Sequence, residues 1–227
     1  MKNFLYLYIL LTILSITSIF CQKIDYSSLL IPSELKENAN AVVRSNSIEI
    51  LINDIDDMEV YKRKVVTVLN KSGEQDAAIF EGYDDDTKIK KLSAVIYDAS
   101  GKQIKKFSKG KFLDVSAVDG GTLYSDSRVK YVDYTPISYP YTLVFESEYK
   151  TSTTGFIPSW FPVNGYYVST EKSSYTLLNP KDIPLRKKHF NFKGFNIENK
   201  STQTELHYVL SNQKAVKFER NTVSYRE

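Results

Sequence analysis

The feature that most constrains the fold is a regular alternation of side chains in residues 141–150. The odd positions hold Tyr, Leu, Phe, Ser and Tyr, and the even positions between them are mainly polar. A period of two residues is typical of a strand that buries one face. Similar alternation, with many Val, Ile, Thr, Tyr and Phe residues, occurs in the segments 58–69, 88–98, 128–134, 166–178, 185–192, 204–210 and 215–220. The chain is therefore predicted to consist mainly of β-strands.

Short turn signals separate these segments, at 70–73, 98–101, 119–121, 164–165 and 179–180. Strands joined by short turns pair antiparallel, and many strands with alternating faces stack most economically as two sheets. One helix is expected at 31–41, where Pro32 and Ser33 supply start signals. The sequence therefore predicts an all-β fold, an antiparallel β-sandwich with one short N-terminal helix.

The first residues have the layout of a secretory signal peptide. Lys2 is followed by an apolar run at 4–14 and by a stretch rich in Ser and Thr that ends before Cys21. We predict that residues 1–22 are cleaved and that the protein is exported to the periplasm, the cell surface or the medium. The alternative is a lipoprotein with its lipid on Cys21, although Phe20 is bulkier than the small residue that lipoprotein processing expects. No apolar run approaches the about 20 residues of a membrane-spanning helix, so no transmembrane segment is predicted after signal cleavage.

The residue types exclude several kinds of catalytic site. Cys21 is the only cysteine and lies in the predicted signal peptide, so the mature chain has no disulfide and no cysteine nucleophile. No Gly-x-Ser-x-Gly motif of a serine hydrolase occurs. Glu146 and Glu148 are paired carboxylates, but they share the polar side of a predicted strand, which normally faces water. No catalytic residue is therefore predicted.

Metal and nucleic-acid binding are not predicted either. His189 and His207 have no nearby Cys, Asp or Glu at metal-ligand spacing. The acidic clusters at 53–57 and 84–86 could offer oxygen ligands to calcium, but they lack the EF-hand pattern and are interpreted as solvated turns. The 30 basic residues nearly balance the 27 acidic ones, which argues against a nucleic-acid partner. No metal and no cofactor are expected.

An aromatic segment at 155–162 is the best candidate for a binding surface. Trp160 and Phe161 lie in it, and Tyr166 and Tyr167 follow it closely. These side chains could stack on a sugar ring or on a segment of a partner protein. The alternative is that they fill the space between two sheets, because Tyr and Trp also suit positions with one apolar and one wet end.

Four segments together resemble a bacterial family. They are IPSELKENANAVVR at 31–44, LSAVIYDASGK at 92–102, LYSDSRVK at 123–130 and FIPSWF at 156–161. The combination is similar to a domain of unknown function that lies behind an export signal and in front of a transglutaminase-like domain, and it covers about residues 31–179. The resemblance implies an N-terminal β-sandwich whose companion domain carries a papain-like Cys, His and Asp triad. No residue of that triad can be placed on this chain.

The predicted organisation is a signal peptide at 1–22 and a β-sandwich domain at 23–179. Residues 180–227 either continue the strands of the same sandwich or begin a linker to a further domain. The predicted function is a non-catalytic module that scaffolds, or presents substrate to, a transglutaminase-like domain of the same parent protein. The alternative is a free-standing β-sandwich that binds a carbohydrate or peptide ligand. A standalone enzyme with an unfamiliar site is a third hypothesis.

Overall fold

The computed structural model describes residues 26–117 and 126–218. The predicted signal peptide at 1–22 and the predicted turn at 119–121 lie outside the described residues. One α-helical turn, α1, spans Ser33–Lys36, and short 3-10 helices span Ser28–Leu30, Lys71–Ala77 and Lys109–Lys111. The strands are β1 (Ala41–Asp54), β2 (Asp57–Val68), β3 (Ile79–Tyr83), β4 (Thr87–Tyr97), β5 (Gln103–Ser108), β6 (Leu113–Ser116), β7 (Arg128–Val132), β8 (Tyr141–Thr151), β9 (Val168–Leu178), β10 (Ile197–Asn199) and β11 (Glu205–Gln213).

The larger sheet contains eight strands in the order β10-β11-β9-β1-β2-β8-β4-β5. Its neighbouring strands pair antiparallel, except that β1 and β9 are parallel. The prediction of a purely antiparallel sandwich is therefore wrong for this pair. Parallel neighbours need a long connection, and here strands β2 to β8 lie between the two in sequence. Turn signals between consecutive strands carry no information about such a pairing.

The smaller sheet has the order β3-β7-β6 and stacks on one side of the larger sheet, called here the inner face. The main core lies between the two layers. It contains Met58 from β2, Ile96 from β4 and Leu143 from β8, together with Ile79 from the smaller sheet. Each fully buried side chain of this size contributes roughly 1.5–3 kcal/mol. The two stacked sheets agree with the layered β architecture predicted from the alternation.

The opposite side of the larger sheet, called here the open face, is covered at one end by the N-terminal segment. Ile31 and Leu35 pack there on Val42. The predicted helix at 31–41 is present but only as the single turn of α1. Asn38 adopts a positive φ of 58°, a conformation outside the right-handed helix, and β1 begins shortly after it.

Most of the segments predicted from alternation are strands, but two differences are informative. β1 is the longest strand, with 14 residues, and was not predicted, because a bulge between Val43 and Ser45 breaks its period of two. The segment 185–192 contains no strand. Its Leu185 and Phe192 instead pack on the main core from an irregular segment. Beyond residue 179, β10 and β11 belong to the larger sheet. No helix in the described parts of the chain is long and apolar enough to cross a membrane.

Candidate functional site

The side of the smaller sheet that points away from the larger sheet is apolar, and we call it the outer apolar face. Two rows of residues in register form it: Phe80, Tyr131 and Leu113 in one row, and Gly82, Val129 and Val115 in the other. Phe80, Leu113 and Val115 are 59%, 54% and 42% exposed. A sheet face in water normally carries polar residues, so this apolar face is the candidate interaction surface of the described residues.

The reason for this reversed pattern lies on the other side of the same strands. Glu81 is only 5% exposed and points at the larger sheet. Its carboxylate accepts hydrogen bonds from Lys62 Nζ at 2.7 Å and from Ser147 Oγ at 2.5 Å. Because the charged residue of β3 is used between the sheets, its apolar neighbour Phe80 points outward.

A second carboxylate on the inner side of the smaller sheet is also paired. Asp114 accepts hydrogen bonds from Lys130 Nζ at 2.5 Å and Arg128 Nε at 3.0 Å, and from the Tyr83 hydroxyl at 2.8 Å. The bond from Lys130, followed by that from Tyr83, lowers the pKa of Asp114 to about 2. The charges of this sheet are therefore held on its inner side, and the outer apolar face carries none.

Trp160 is half-buried and lies in a cluster of aromatic rings. Its ring stacks on Tyr208 with 6.1 Å between centroids and meets Phe192 edge-on at 6.3 Å. Its Nε1 donates to Ser173 Oγ at 2.9 Å, and its ring lies 6.4 Å from that of Tyr175. Burial raises the pKa of Tyr175 to about 12. The cluster covers the inner face of β9 and β11, as in the alternative in which the aromatic residues fill an interior space.

Of the other predicted contact residues, Phe161 directly follows Trp160, whereas Tyr166 and Tyr167 lie elsewhere. Phe161 is 63% exposed. Tyr166 meets Phe218 edge-on with 5.2 Å between centroids. Tyr167, which is 37% exposed, directly precedes β9, about 20 Å along the strand from the Ser173 that Trp160 touches. Tyr166 and Tyr167 therefore lie in a region separate from that of Trp160.

The groups considered for metal binding or acid–base chemistry have ordinary partners. His189 Nε2 lies 3.1 Å from the Tyr208 hydroxyl, and His207 Nδ1 lies 3.6 Å from a Glu205 oxygen. Within residues 26–117 and 126–218, no group of three or more His, Cys, Asp or Glu side chains could hold a metal ion. Glu146 lies on the open face, where it pairs with basic side chains.

Sequence reasoning missed the outer apolar face. The signal was present, because Phe80 and Ile79 are adjacent apolar residues next to a lone Glu81, but a five-residue strand is too short to show which side is buried. The face is recognisable only when Glu81 is seen to contact the larger sheet.

These features define a two-layer β domain with a mixed sheet and an apolar outer face that exposes three large side chains. The chain belongs to the family described as a domain of unknown function with a solved structure (DUF3857), whose model matches residues 56–224. No curated protein is similar enough in sequence to count as a match.

Two solved structures are similar to the chain. One is described as a candidate protease from Parabacteroides distasonis, with a TM-score of 0.61 and 16% identity; the match covers 82% of this chain and 38% of that protein. This similarity shows the fold. The other is described as a candidate nutrient-binding protein from Legionella pneumophila, with a TM-score of 0.33 and 9% identity over 82% of this chain and 65% of that one. The chain therefore spans less than two thirds of each of these proteins.

Proposed function

We propose that this chain is a non-catalytic β module of an exported protein, and that it scaffolds, or presents substrate to, a transglutaminase-like domain of the same parent protein. The observation that carries the proposal is the outer apolar face, where Phe80, Leu113 and Val115 are left in water. The Parabacteroides distasonis structure adds support, because there the same fold makes up a minor part of a longer chain described as a candidate protease.

The size of the outer apolar face favours a tethered partner. It measures about 14 Å across three strands and about 16 Å along them, which is roughly 230 Å². A stable interface between free proteins buries about 800 Å² on each partner. A face this small would hold a free partner weakly, whereas a domain on the same polypeptide reaches an effective concentration of about 1 mM. A domain of the parent protein is therefore a better occupant than a second copy of this chain.

The predicted aromatic contacts enter this proposal unequally. Trp160 packs on several rings and donates to Ser173, so replacing it tests the stability of the cluster rather than docking. Phe161 and Tyr167 are exposed and stay candidate contacts for the companion domain. Tyr166 packs edge-on against Phe218 next to Tyr167 in sequence.

The docking proposal is tested on the intact gene product, expressed from its whole reading frame. The double variant Phe80→Ser/Leu113→Ser should keep the circular-dichroism spectrum of the wild type but increase the radius of gyration in small-angle scattering, because the domains separate. The control is Ile104→Ser/Ile137→Ser, which changes two residues that are 50% and 97% exposed outside this face. An unchanged radius in the first variant contradicts the proposal, and so does a reading frame that ends at Glu227.

Export and the lack of catalysis have separate tests. The mass of the protein recovered from its host should lack residues 1–22, and a retained N-terminus contradicts export. A mass that includes lipid on Cys21 would instead support the lipoprotein alternative. The purified mature chain should neither hydrolyse nor crosslink peptides, and a measured turnover would contradict the non-catalytic assignment.

A further inference from the structure

A cavity lies between the two sheets, beside the first residue of β3 and the last residue of β7. Its volume is about 160 Å³. Ile96 and Leu143, which are neighbours in register, line it on the larger sheet, and Ile79 and Val132 line it on the smaller sheet. A protein cavity of about 150 Å³ holds a molecule of the size of benzene. The space is therefore sufficient for a ligand group of about six heavy atoms.

Two carboxylates border this apolar cavity. Glu74, from the 3-10 helix before β3, and Asp133, which follows β7, both line it. Glu74 is half-buried and accepts a hydrogen bond from the Tyr139 hydroxyl, whereas Asp133 is exposed. Within the described residues, neither carboxylate forms a salt bridge, and the Asp133 side chain makes no hydrogen bond. The cavity therefore carries two negative charges that no cation of the described chain pairs with.

Two tyrosine rings also line the cavity, next to the carboxylates. The rings of Tyr134 and Tyr141 lie 5.7 Å apart between centroids and meet at 68°, and the ring of Tyr139 packs on that of Tyr141 at 5.9 Å. Burial, followed by the charge of Glu74, raises the pKa of Tyr141 to about 12, so its ring stays neutral at ordinary pH. The face of a neutral tyrosine ring attracts a cation. Rings and carboxylates therefore favour the same sign of charge in a ligand.

One cation of the chain already lies against this group of rings. Lys105 Nζ is 4.9 Å from the centroid of the Phe107 ring and 5.8 Å from that of Tyr134. Lys105 is exposed and does not line the cavity, and within the described residues it pairs with neither carboxylate. An ammonium group therefore suits the Tyr134 ring, while the space between the ring and the two carboxylates is left to a ligand.

We propose that this cavity binds an alkylammonium group, with its apolar stem against Ile79 and Leu143 and its charged end between the carboxylates and the tyrosine rings. A lysine side chain and a free alkylamine both have this chemistry. A bare metal ion fits less well, because the apolar walls offer it no ligands and two carboxylates alone complete no coordination shell. The inference goes beyond the docking proposal and does not depend on it, since the cavity and the outer apolar face lie on opposite sides of the smaller sheet.

The experiment is a calorimetric titration of the intact gene product at pH 7 and constant ionic strength. The probes are n-butylamine, which is protonated at this pH, its neutral isostere n-butanol, the anion butyrate, and lysine with both backbone ends capped. We expect butylammonium to bind with saturation and at least about tenfold more tightly than butanol, because cation–π attraction and two carboxylates act on the charge alone. Capped lysine that binds as tightly as butylammonium supports the proposal with a peptide as the source, and binding of butylammonium alone supports it with a free amine.

The matched variants are Glu74→Gln and Glu49→Gln, which remove the same charge from the cavity and from an exposed position of β1. Glu74→Gln keeps an acceptor for Tyr139 and should bring the affinity for butylammonium close to that for butanol, whereas Glu49→Gln should change neither. Asp133→Asn, at an exposed position, should act in the same direction and serves if Glu74→Gln does not fold.

Four results overturn the proposal: no binding of butylammonium, equal binding of butylammonium and butanol, tighter binding of butyrate, or an affinity for butylammonium that the variants in the cavity leave unchanged. The last result would place an amine site elsewhere in the gene product. The docking test stands apart from this one, because it measures the separation of domains and changes residues of the outer apolar face.

Discussion

The hydrogen bonds that the Glu81 carboxylate accepts from Lys62 and Ser147 should hold the smaller sheet on the larger one. The variant Glu81→Ala tests this. Ser147 is fully buried, so the loss of the acceptor of its hydroxyl costs about 1–3 kcal/mol. The Lys62 side chain is 29% exposed, so water compensates in part and the lost charge-assisted bond costs about 1 kcal/mol. The free energy of unfolding should therefore fall by about 2–4 kcal/mol, which corresponds to a decrease of roughly 4–16 °C in Tm for a domain of this size.

The assay is urea denaturation followed by circular dichroism, with calorimetry as a second probe. The control is Glu59→Ala, which removes a carboxylate that also pairs with a lysine, Lys90 Nζ at 3.0 Å, but with both side chains 36% exposed. Such a surface pair contributes about 0–1 kcal/mol. Glu81→Gln, which keeps an acceptor for Ser147, should fall between the two. Equal losses in Glu81→Ala and Glu59→Ala would refute the reasoning.

Two further predictions concern backbone packing and tyrosine ionisation. Gly73→Ala should destabilise the chain by about 1–3 kcal/mol in urea titrations, because its new Cβ would overlap the Asn40 carbonyl, whereas Gly110→Ala, with open space around it, should change little. A loss of stability in the Gly110 variant without a loss in the Gly73 variant would contradict this. Burial raises the pKa of Tyr141 and Tyr175 from 10.0 to about 12, so tyrosinate absorbance of the folded chain should contain a late component near pH 12 that each Tyr→Phe variant reduces. Stability should hold below pH 10 and fall as the pH rises toward 12, and a titration complete by pH 11 would disagree.

The fold was predictable where burial and sequence period coincide. β8 buries one side along its whole length and was the clearest prediction. The parallel pairing of β1 with β9 was not predictable, because it joins residues far apart in sequence and depends on which strands the smaller sheet covers. The strand predicted at 185–192 failed because apolar residues that cover a core from an irregular segment need no backbone pairing.

The sites were less predictable for a related reason. Phe161 and Tyr167 were chosen as aromatic residues and are exposed, but the same criterion selected Trp160, which is half-buried among other rings. Lys62 and Lys64 occupy positions of β2 where alternation demands apolar residues. Lys62 pairs with Glu81 of the smaller sheet and Lys64 Nζ donates to the backbone oxygen of Asp76, so only the structure shows what each lysine contacts.

The central claim is that the outer apolar face docks a companion domain, and hydrogen exchange tests it most directly. Backbone amides of β3, β6 and β7 are compared between this chain alone and the intact gene product, under the same conditions. The account predicts slower exchange in these three strands of the intact protein, with β5, an edge of the larger sheet, unchanged. Identical exchange of the smaller sheet in both proteins would contradict it.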